Sequence, residues 1–345
     1  MAEMPASLSD GPMYGLRRPA SVLSFVIVLL WAAVVLRPAT ACACAIDPAT
    51  TNAHQPTIAE AKEAFRQAGA NQLPGDYEPI PDIETGPTEP PQMQRASIPC
   101  AVLYAVGWIE SSWHQADHVP RGGSGPVLQS FDCGYGVMQI TSGMREWDVG
   151  IPAAKQLRIA NEYGYNIAWG AKMLVEKWNV LPWRCDASVC GYRITWSAIS
   201  PRDPTVIEDW YTTLWAYNGY AFSNNPNNCT TNPDGPGDNY CFRTPYTDPS
   251  WPSRPRWWYT YPELVFGLIV NPPYEDGVRL WDPVPLPWPR NEYFGYCPYD
   301  EGTIICPRYI LRSDAFSGAA HTAPCTSALP PLPFRFFLPF VPKNQ

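Results

Sequence analysis

The amino-acid sequence predicts a mainly α-helical domain that is exported from the cell. Helix signals recur between residues 57 and 270, and this is the first of three observations behind the prediction. The second is an uncharged run near the N-terminus, which follows paired arginines. The third is a set of nine cysteines after residue 44, typical of a disulfide framework in an exported protein.

The helix signals follow one another along the chain. Thr57-Ile-Ala-Glu60 has the form of a capping box, so a helix is predicted over 60–70. Apolar residues at 102, 103, 106 and 109 share one face of a second helix. The same kind of pattern predicts helices over 154–159, 166–178, 206–215 and 263–270.

The N-terminal segment, residues 1–43, reads as a signal peptide or an N-terminal anchor. Arg17-Arg18 precedes the uncharged run 21–36, and small residues at 39, 41 and 43 form two cleavage candidates. A retained anchor, with membrane association through this segment, stays open because the run is only slightly short for a membrane span. Lipid attachment to Cys42 or Cys44 is a third interpretation.

Composition excludes some classes of function. The net charge of −8 argues against a nucleic-acid-binding protein, because such proteins normally present a basic face. Histidines are few, and no Cys-x-x-Cys pair occurs, so the sequence predicts neither a metal site nor a cofactor. Close spacing suggests the cysteine pairs 185–190, 229–241 and 297–306, and we expect Cys100 to pair with Cys133.

Proline-rich stretches divide the chain into four parts. After residues 1–43, residues 44–96 read as a linker with one short helix, and its part 73–94 is either a linker or an extended arm laid on the domain. Residues 97–270 form the predicted helical domain, with long insertions at about 179–205 and 220–258 that are rich in proline and tryptophan. Residues 271–345 are a proline- and aromatic-rich extension, and we expect it to pack on the domain as an extended strip.

The motifs that carry chemistry begin with Glu110, which lies within the apolar run 101–113. Burial raises the pKa of a carboxyl group, because the charged form loses hydration, so a glutamate in apolar surroundings can serve as a general acid. The segment Gly134-Tyr-Gly-Val-Met-Gln-Ile-Thr141 follows. Its glycines permit a close approach of the backbone to a ligand.

Two further motifs complete a pattern: Asn166-Ile-Ala-Trp-Gly-Ala-Lys-Met-Leu174 and Ala216-Tyr-Asn-Gly219. Together the four motifs resemble the signature of the soluble lytic transglycosylases and goose-type lysozymes, over residues 97–270. The resemblance implies an α+β lysozyme-like fold in which a single helical catalytic domain cleaves peptidoglycan glycan strands. Beyond Asn218 the chain is one residue short of the family's usual Ala-Tyr-Asn-Ala-Gly.

The resemblance also implies a role for each motif residue. Glu110 would be the catalytic acid, and the hydroxyl group of Tyr217 would reach its carboxyl. Substrate would be contacted by Ser111, Met138, Gln139, Tyr217 and Asn218. Support for the site would come from Gly134, Gly136 and Asn166, the last as the N-cap residue of a buried helix.

The number of carboxylates distinguishes two reactions. Hydrolytic glycosidases usually need a pair, whereas lytic transglycosylases act with one glutamate and form a 1,6-anhydromuramyl end. Asp132 and Asp148 are the candidates for a second carboxylate, and Asp132 could equally cap a turn. We therefore expect transglycosylation at the cell surface or cell wall; the alternatives are a hydrolytic muramidase and a non-catalytic wall-binding protein.

Overall fold

The structure, a computed structural model, describes residues 43–86, 91–180, 202–219, 244–256, 259–289, 316 and 320–325. Some sequence predictions fall outside these residues. They are the segment before residue 43, the cysteine pairs 185–190, 229–241 and 297–306, most of both insertions, and the end of the C-terminal strip. The residues from Cys44 onward belong to one compact unit.

The prediction of a mainly α-helical protein is confirmed for the described residues. Their α-helices are α1 (Ile58–Gly69), α2 (Cys100–Ser111), α3 (Ala153–Asn161), α4 (Tyr163–Val180), α5 (Tyr211–Tyr217) and α6 (Tyr261–Val270). The capping box that predicted α1 is present, because Thr57 Oγ1 accepts from the backbone N–H of Glu60 and the Glu60 carboxylate accepts from Thr57 N. At α6, the Glu263 carboxylate accepts from the backbone N–H of Thr260.

Strands are short and pair two at a time. Strand β1 (Ala53–His54) pairs antiparallel with β4 (Ser124–Gly125), and β2 (Ile83–Thr85) pairs with β3 (Gln92–Gln94). A hairpin joins β5 (Tyr274–Glu275) to β6 (Val278–Arg279). Single 3-10 turns occupy Pro48–Thr50, Ile207–Trp210 and Trp251–Ser253.

Helices surround the core in a closed ring. Helix α1 packs on α2, α2 on α6, α6 on α5, α5 on α4, and α4 returns to α1, while α3 attaches to α4. Helix α2 turns its apolar face toward this core, where Val102, Leu103 and Val106 are at 0% exposure. Burial on this scale is the main favourable term in folding, and it fixes the end of α2 that carries Glu110.

The prediction that residues 44–96 form a linker is wrong for most of that segment. Phe65 and Ile83 are fully buried in the same core as α2, and Ala53 is buried with them. Helix α1 is amphipathic, so it needs an apolar surface to cover its buried face, and α2 and α4 supply that surface. The proline content of the segment reflects an irregular path over the domain.

Disulfide connectivity differs from the expected pairing of Cys100 with Cys133. Cys133 is bonded to Cys44, and Cys100 is bonded to Cys325. Cys44 therefore belongs to the folded domain, and its sulfur is not available for a lipid. Each bond joins a terminal segment to the core, across 89 and 225 residues, and such distant pairs cannot be read from sequence spacing.

The start of the C-terminal extension packs on the domain. Leu280, Trp281 and Leu286 are buried in the core, and Trp281 stacks on Trp113 with ring centroids 5.4 Å apart. Near residue 321, the chain is held by the side chain of buried Glu208, whose carboxylate lies 2.6 Å from His321 Nδ1.

In the described part of the chain, none of the helices combines the length and the apolar character needed to cross a membrane.

Candidate functional site

Glu110 lies in the last turn of α2, where the helix stops abruptly. Ser112 and Trp113 both adopt left-handed backbone conformations, with φ of 54° and 60°. Such residues cost about 1–2 kcal/mol each, which the burial of the Trp113 side chain at 0% exposure offsets. Here the chain folds back over the last turn of α2, because Trp113 N donates to Gly107 O at 3.4 Å.

A bidentate ion pair fixes this helix end from outside. Arg121 donates to the backbone carbonyls of Ser112, at 3.0 Å, and Trp113, at 2.7 Å. The same guanidinium donates to both carboxylate oxygens of Glu275, each at 2.9 Å. Carbonyl groups that a helix end leaves unsatisfied are thus paired, and the β5–β6 hairpin is tied to the helix end beside Glu110.

The Glu110 carboxyl group is mostly buried but retains some solvent access. Burial raises its pKa from an ordinary 4.5 to about 7, because the charged form is poorly hydrated there. The negative charge of Asp132 also raises this pKa, and a hydrogen bond from Tyr261 opposes the rise. At neutral pH a substantial fraction of Glu110 therefore carries a proton.

Tyr261, not Tyr217, donates to the Glu110 carboxyl. The Tyr261 hydroxyl donates to Glu110 Oε1 at 2.5 Å, from the first turn of α6. Burial raises the pKa of Tyr261 well above its ordinary value, so this hydroxyl keeps its proton and remains a donor. The expectation that the Tyr217 hydroxyl reaches Glu110 is wrong.

Tyr217 nevertheless lies beside the carboxyl. Its hydroxyl donates to Met138 O at 3.1 Å, and its ring stacks with that of Tyr261 at a centroid distance of 6.5 Å. The negative charge of Glu110 contributes to raising the pKa of Tyr217, after burial. Asn218 follows as the C-cap residue of α5 and is partly exposed.

Ser111 joins the helix end to the glycine-containing segment. Its hydroxyl donates to Val137 O at 2.7 Å and accepts from the backbone N–H of His114 at 3.1 Å. A longer contact of 3.3 Å to Gly107 O represents the helix-terminal bond expected of a serine at this position. Ser111 is partly exposed, and its main visible role is to connect the two motifs.

The segment 134–141 folds as a tight turn around Gly136. Gly136 has φ of +66°, and a Cβ atom there would lie 2.3 Å from Gln115 Oε1, so only glycine fits. Gly134 N donates to Ser130 Oγ at 2.8 Å. The close approach that these glycines permit is to the protein's own side chains, rather than directly to a ligand.

Gln139 and Met138 have opposite environments. Gln139 is partly exposed and has φ of 45°, with its side-chain amide donating to Gly136 O at 2.9 Å. Met138 is 0% exposed. Its side chain packs against Gly170 of α4, where an added Cβ would meet it at 2.7 Å. The prediction that the Met138 side chain lines the substrate groove is therefore wrong.

Asn166 supports the site from below, but it is not an N-cap residue. Helix α4 begins at Tyr163, three residues before Asn166. The backbone N–H of Asn166 donates to Glu162 O at 2.9 Å, so Asn166 lies within the first turn of the helix. The buried Asn166 side chain accepts from Met138 N at 2.8 Å and donates to Tyr135 O at 2.7 Å. It thus holds the glycine-containing segment on both sides of Gly136.

The two candidate second carboxylates are placed differently. Asp132 accepts from Ser130 Oγ at 2.5 Å, which is the turn-capping role considered for it, and its charge also acts on Glu110. Asp148 accepts from Arg145 N at 3.1 Å and does not contribute to the pKa of Glu110. Of these two, Asp132 is therefore the residue that shares the environment of Glu110.

Sequence reasoning identified Glu110 and its neighbours but missed Tyr261 and Arg121. The Thr-Tyr-Pro-Glu sequence at 260–263 marks a helix start, and nothing in it indicates contact with a helix about 150 residues earlier.

In the part of the chain that is described, no three His, Cys, Asp or Glu side chains cluster as metal ligands would. Comparisons with protein-family models, curated proteins and solved structures find no match to this chain.

Proposed function

We propose that the protein is a peptidoglycan lytic transglycosylase with a lysozyme-like fold, in which Glu110 is the acid and then the base. The observation that carries the proposal is the raised pKa of Glu110, about 7, at the junction of α2 with the glycine-containing segment. A glycosidic oxygen needs a proton as it leaves, and a carboxyl group that is still protonated near neutral pH can supply it.

The reaction needs one carboxyl group if the substrate supplies the nucleophile. Glu110 donates its proton to the glycosidic oxygen, and the bond from that oxygen to the muramyl anomeric carbon breaks. The resulting Glu110 carboxylate then removes the proton from the 6-hydroxyl of the same sugar, whose oxygen bonds to the anomeric carbon. The products are a free 4-hydroxyl and a 1,6-anhydro end, and Glu110 recovers its proton.

Tyr261 suits both steps. As a hydroxyl donor it stabilises the carboxylate that forms after the first proton transfer, while burial keeps that carboxylate basic enough to accept the second proton. The partly exposed side chains of Gln139 and Ser111 lie along the segment that would border the sugar. Met138 contributes through its backbone only.

A hydrolytic muramidase is the second candidate, and Asp132 is the observation in its favour. The charge of Asp132 raises the pKa of Glu110, which is the relation expected between an acid and a neighbouring carboxylate. In that reaction Asp132 would remove a proton from water, and the water oxygen would bond to the anomeric carbon. The hydrogen bond that Asp132 accepts from Ser130 counts against this role, since it occupies one oxygen.

Export to the cell surface or cell wall follows from the same proposal. Both disulfides among the described residues tie terminal segments to the domain, and such bonds persist in oxidising compartments. The enzyme would then act where its polymeric substrate lies.

The test is mass spectrometry of soluble fragments after the purified protein is incubated with peptidoglycan. Anhydromuramyl fragments are expected, whereas fragments heavier by one water would establish the muramidase. The Glu110→Gln variant should release neither while its far-ultraviolet circular dichroism stays that of the wild type. Turnover by this folded variant would contradict the role of Glu110.

A further inference from the structure

A cavity of about 450 Å³ lies between α2 and α6, and neither Glu110 nor Tyr261 belongs to its lining. Its volume is in the range of ligand-binding pockets. On one side it is lined by Trp108 and Ile109, the two residues before Glu110 in α2. On another it is lined by Leu264 and Leu268 of α6.

The cavity follows the helical face of α6 whose first turn carries Tyr261. Tyr261, Leu264 and Leu268 are three and four residues apart, so they share one face of α6. At 1.5 Å per residue, the part of this face that lines the cavity, from Leu264 to Asn271, is about 10 Å long. A ligand bound to the cavity would therefore lie along α6, one turn beyond the residue that donates to Glu110.

Positive charge lines the open side of this cavity. Arg254, Arg256 and Arg279 all contribute to its lining and are exposed. Asp248 lies near Arg254, whose charge lowers the pKa of that carboxyl, so part of the charge of Arg254 is offset. Arg256 and Arg279 form no ion pair among the residues that the structure describes.

Arg279 is held in place over an aromatic ring. Its guanidinium lies 5.4 Å from the centroid of the Tyr274 ring, and its Nη2 donates to the Tyr274 hydroxyl at 2.8 Å. Tyr274 and Arg279 face each other across the β5–β6 hairpin. Because Arg121 ties the adjacent Glu275 to the end of α2, the position of this hairpin is fixed relative to Glu110.

A local cluster of arginines is unusual in a chain with a net charge of −8, and it favours an anionic ligand. We propose that the cavity binds the peptide stem of the glycan substrate, with Arg256 and Arg279 recognising its free carboxylates. The inference rests on the proposed function, since the stem is attached to the muramyl sugar whose bond Glu110 would cleave. Guanidinium groups bind carboxylates through paired, charge-assisted hydrogen bonds.

The dimensions agree with such a stem. An extended peptide advances about 3.3 Å per residue, so a surface about 10 Å long accommodates about three residues. The apolar lining from Ile109 and Leu264 suits small aliphatic side chains, and the arginines of the same lining suit carboxylates. The cavity would then select glycan strands that carry uncapped stems.

The experiment compares turnover of two substrates: glycan strands with intact stems, and strands from which an amidase has removed them. For the wild type we expect kcat/KM to be at least about tenfold higher on stem-bearing strands, the factor equivalent to about 1.4 kcal/mol. In the Arg256→Gln/Arg279→Gln double variant this ratio should fall toward one. The control is Arg95→Gln, at an exposed arginine outside the cavity lining, and it should keep the wild-type ratio.

Direct binding provides a readout that does not require turnover. Titration of the wild type with an N-acetylmuramyl peptide bearing free carboxylates, and with its fully amidated form, should show at least about tenfold tighter binding of the acid. The double variant should lose that difference. Equal affinity for the two forms would overturn the inference.

The two proposals fail in different ways. A wild-type protein that cleaves both kinds of strand equally well refutes stem recognition and leaves the transglycosylase intact. A wild-type protein that cleaves neither strand refutes the proposed function, and selective binding of the acidic muramyl peptide would still establish the site. If inorganic phosphate competes with the peptide at equal concentration, the cavity is a general anion site and the inference is wrong.

Discussion

Replacement of Tyr261 by phenylalanine removes a hydroxyl group that donates to the Glu110 carboxyl, at 2.5 Å. The aromatic ring of residue 261 and its stacking with the Tyr217 ring are retained, so the change is confined to one hydrogen bond. That bond stabilises the ionised form of Glu110 and therefore lowers its pKa. Its removal must raise the pKa of Glu110 further above about 7.

The size of the effect follows from the strength of such bonds. A hydrogen bond to a charged group contributes about 1.5–3 kcal/mol, and one pKa unit corresponds to about 1.4 kcal/mol. The Tyr261→Phe variant should therefore show a pKa of Glu110 that is higher by about one to two units. Since protonated Glu110 starts the reaction, activity should persist to higher pH in the variant, although its rate at the optimum should fall.

The assay is the pH dependence of kcat/KM, which reports the ionisation of the free enzyme. Tyr217→Phe is the matched control, because the Tyr217 hydroxyl donates to Met138 O and not to Glu110. The alkaline limb of the profile should move upward in Tyr261→Phe and stay within about 0.5 pH units of the wild type in Tyr217→Phe. If the alkaline limb moves only in Tyr217→Phe, the hydroxyl that acts on Glu110 is that of Tyr217, as the sequence resemblance implies. The assignment of Tyr261 as the donor to Glu110 would then be refuted.

Three other predictions concern the support of the site. Replacing both Cys44 and Cys133 by alanine should lower the free energy of unfolding by about 2–5 kcal/mol, because their bond closes a loop across 89 residues. Asn166→Ala should lower the free energy of unfolding, measured in urea, by about 3 kcal/mol or more, because the buried Asn166 amide forms hydrogen bonds with the backbone on two sides of Gly136. Asp132→Asn removes a charge that raises the pKa of Glu110, so the alkaline limb should move to lower pH while anhydro products continue to form.

Each of these predictions has a control and a contradicting result. Asn161→Ala removes an exposed bond to Asn52 and should change stability little, so equal losses at 161 and 166 would refute the special role of Asn166. Asp148→Asn should leave the pH profile of the wild type unchanged. Loss of all turnover in folded Asp132→Asn would favour hydrolysis. An unchanged unfolding midpoint in the cysteine double variant would mean that the bond does not constrain the domain.

Much of the local structure was predictable because its causes are local. The Thr57–Glu60 pair identified the start of α1, and the apolar spacing at 102, 103, 106 and 109 identified the buried face of α2. Glu110 was predicted from its apolar neighbours, and the structure places it, mostly buried, at the end of that helix. Periodicity and capping are properties of neighbouring residues, so they can be read from the chain.

Features that depend on distant contacts were predicted less well. Met138 was assigned to the groove, yet it packs against Gly170, and no pattern within the segment 134–141 indicates which side chain turns inward. The prediction that Tyr217 is the hydrogen-bond partner of Glu110 was wrong for the same reason. Tyr261 reaches Glu110 through the packing of α6 on α2. The partner of Cys133 lies 89 residues away, in a segment that composition alone marked as a linker.

The most direct test of the account is a titration of the Glu110 carboxyl itself. Carboxyl-selective 13C NMR of glutamate-labelled protein, compared with the Glu110→Gln variant, isolates this one resonance. A midpoint near 7 is expected, because burial outweighs the hydrogen bond from Tyr261. A midpoint near the ordinary value of 4.5 would leave Glu110 ionised at neutral pH and contradict its role as the acid.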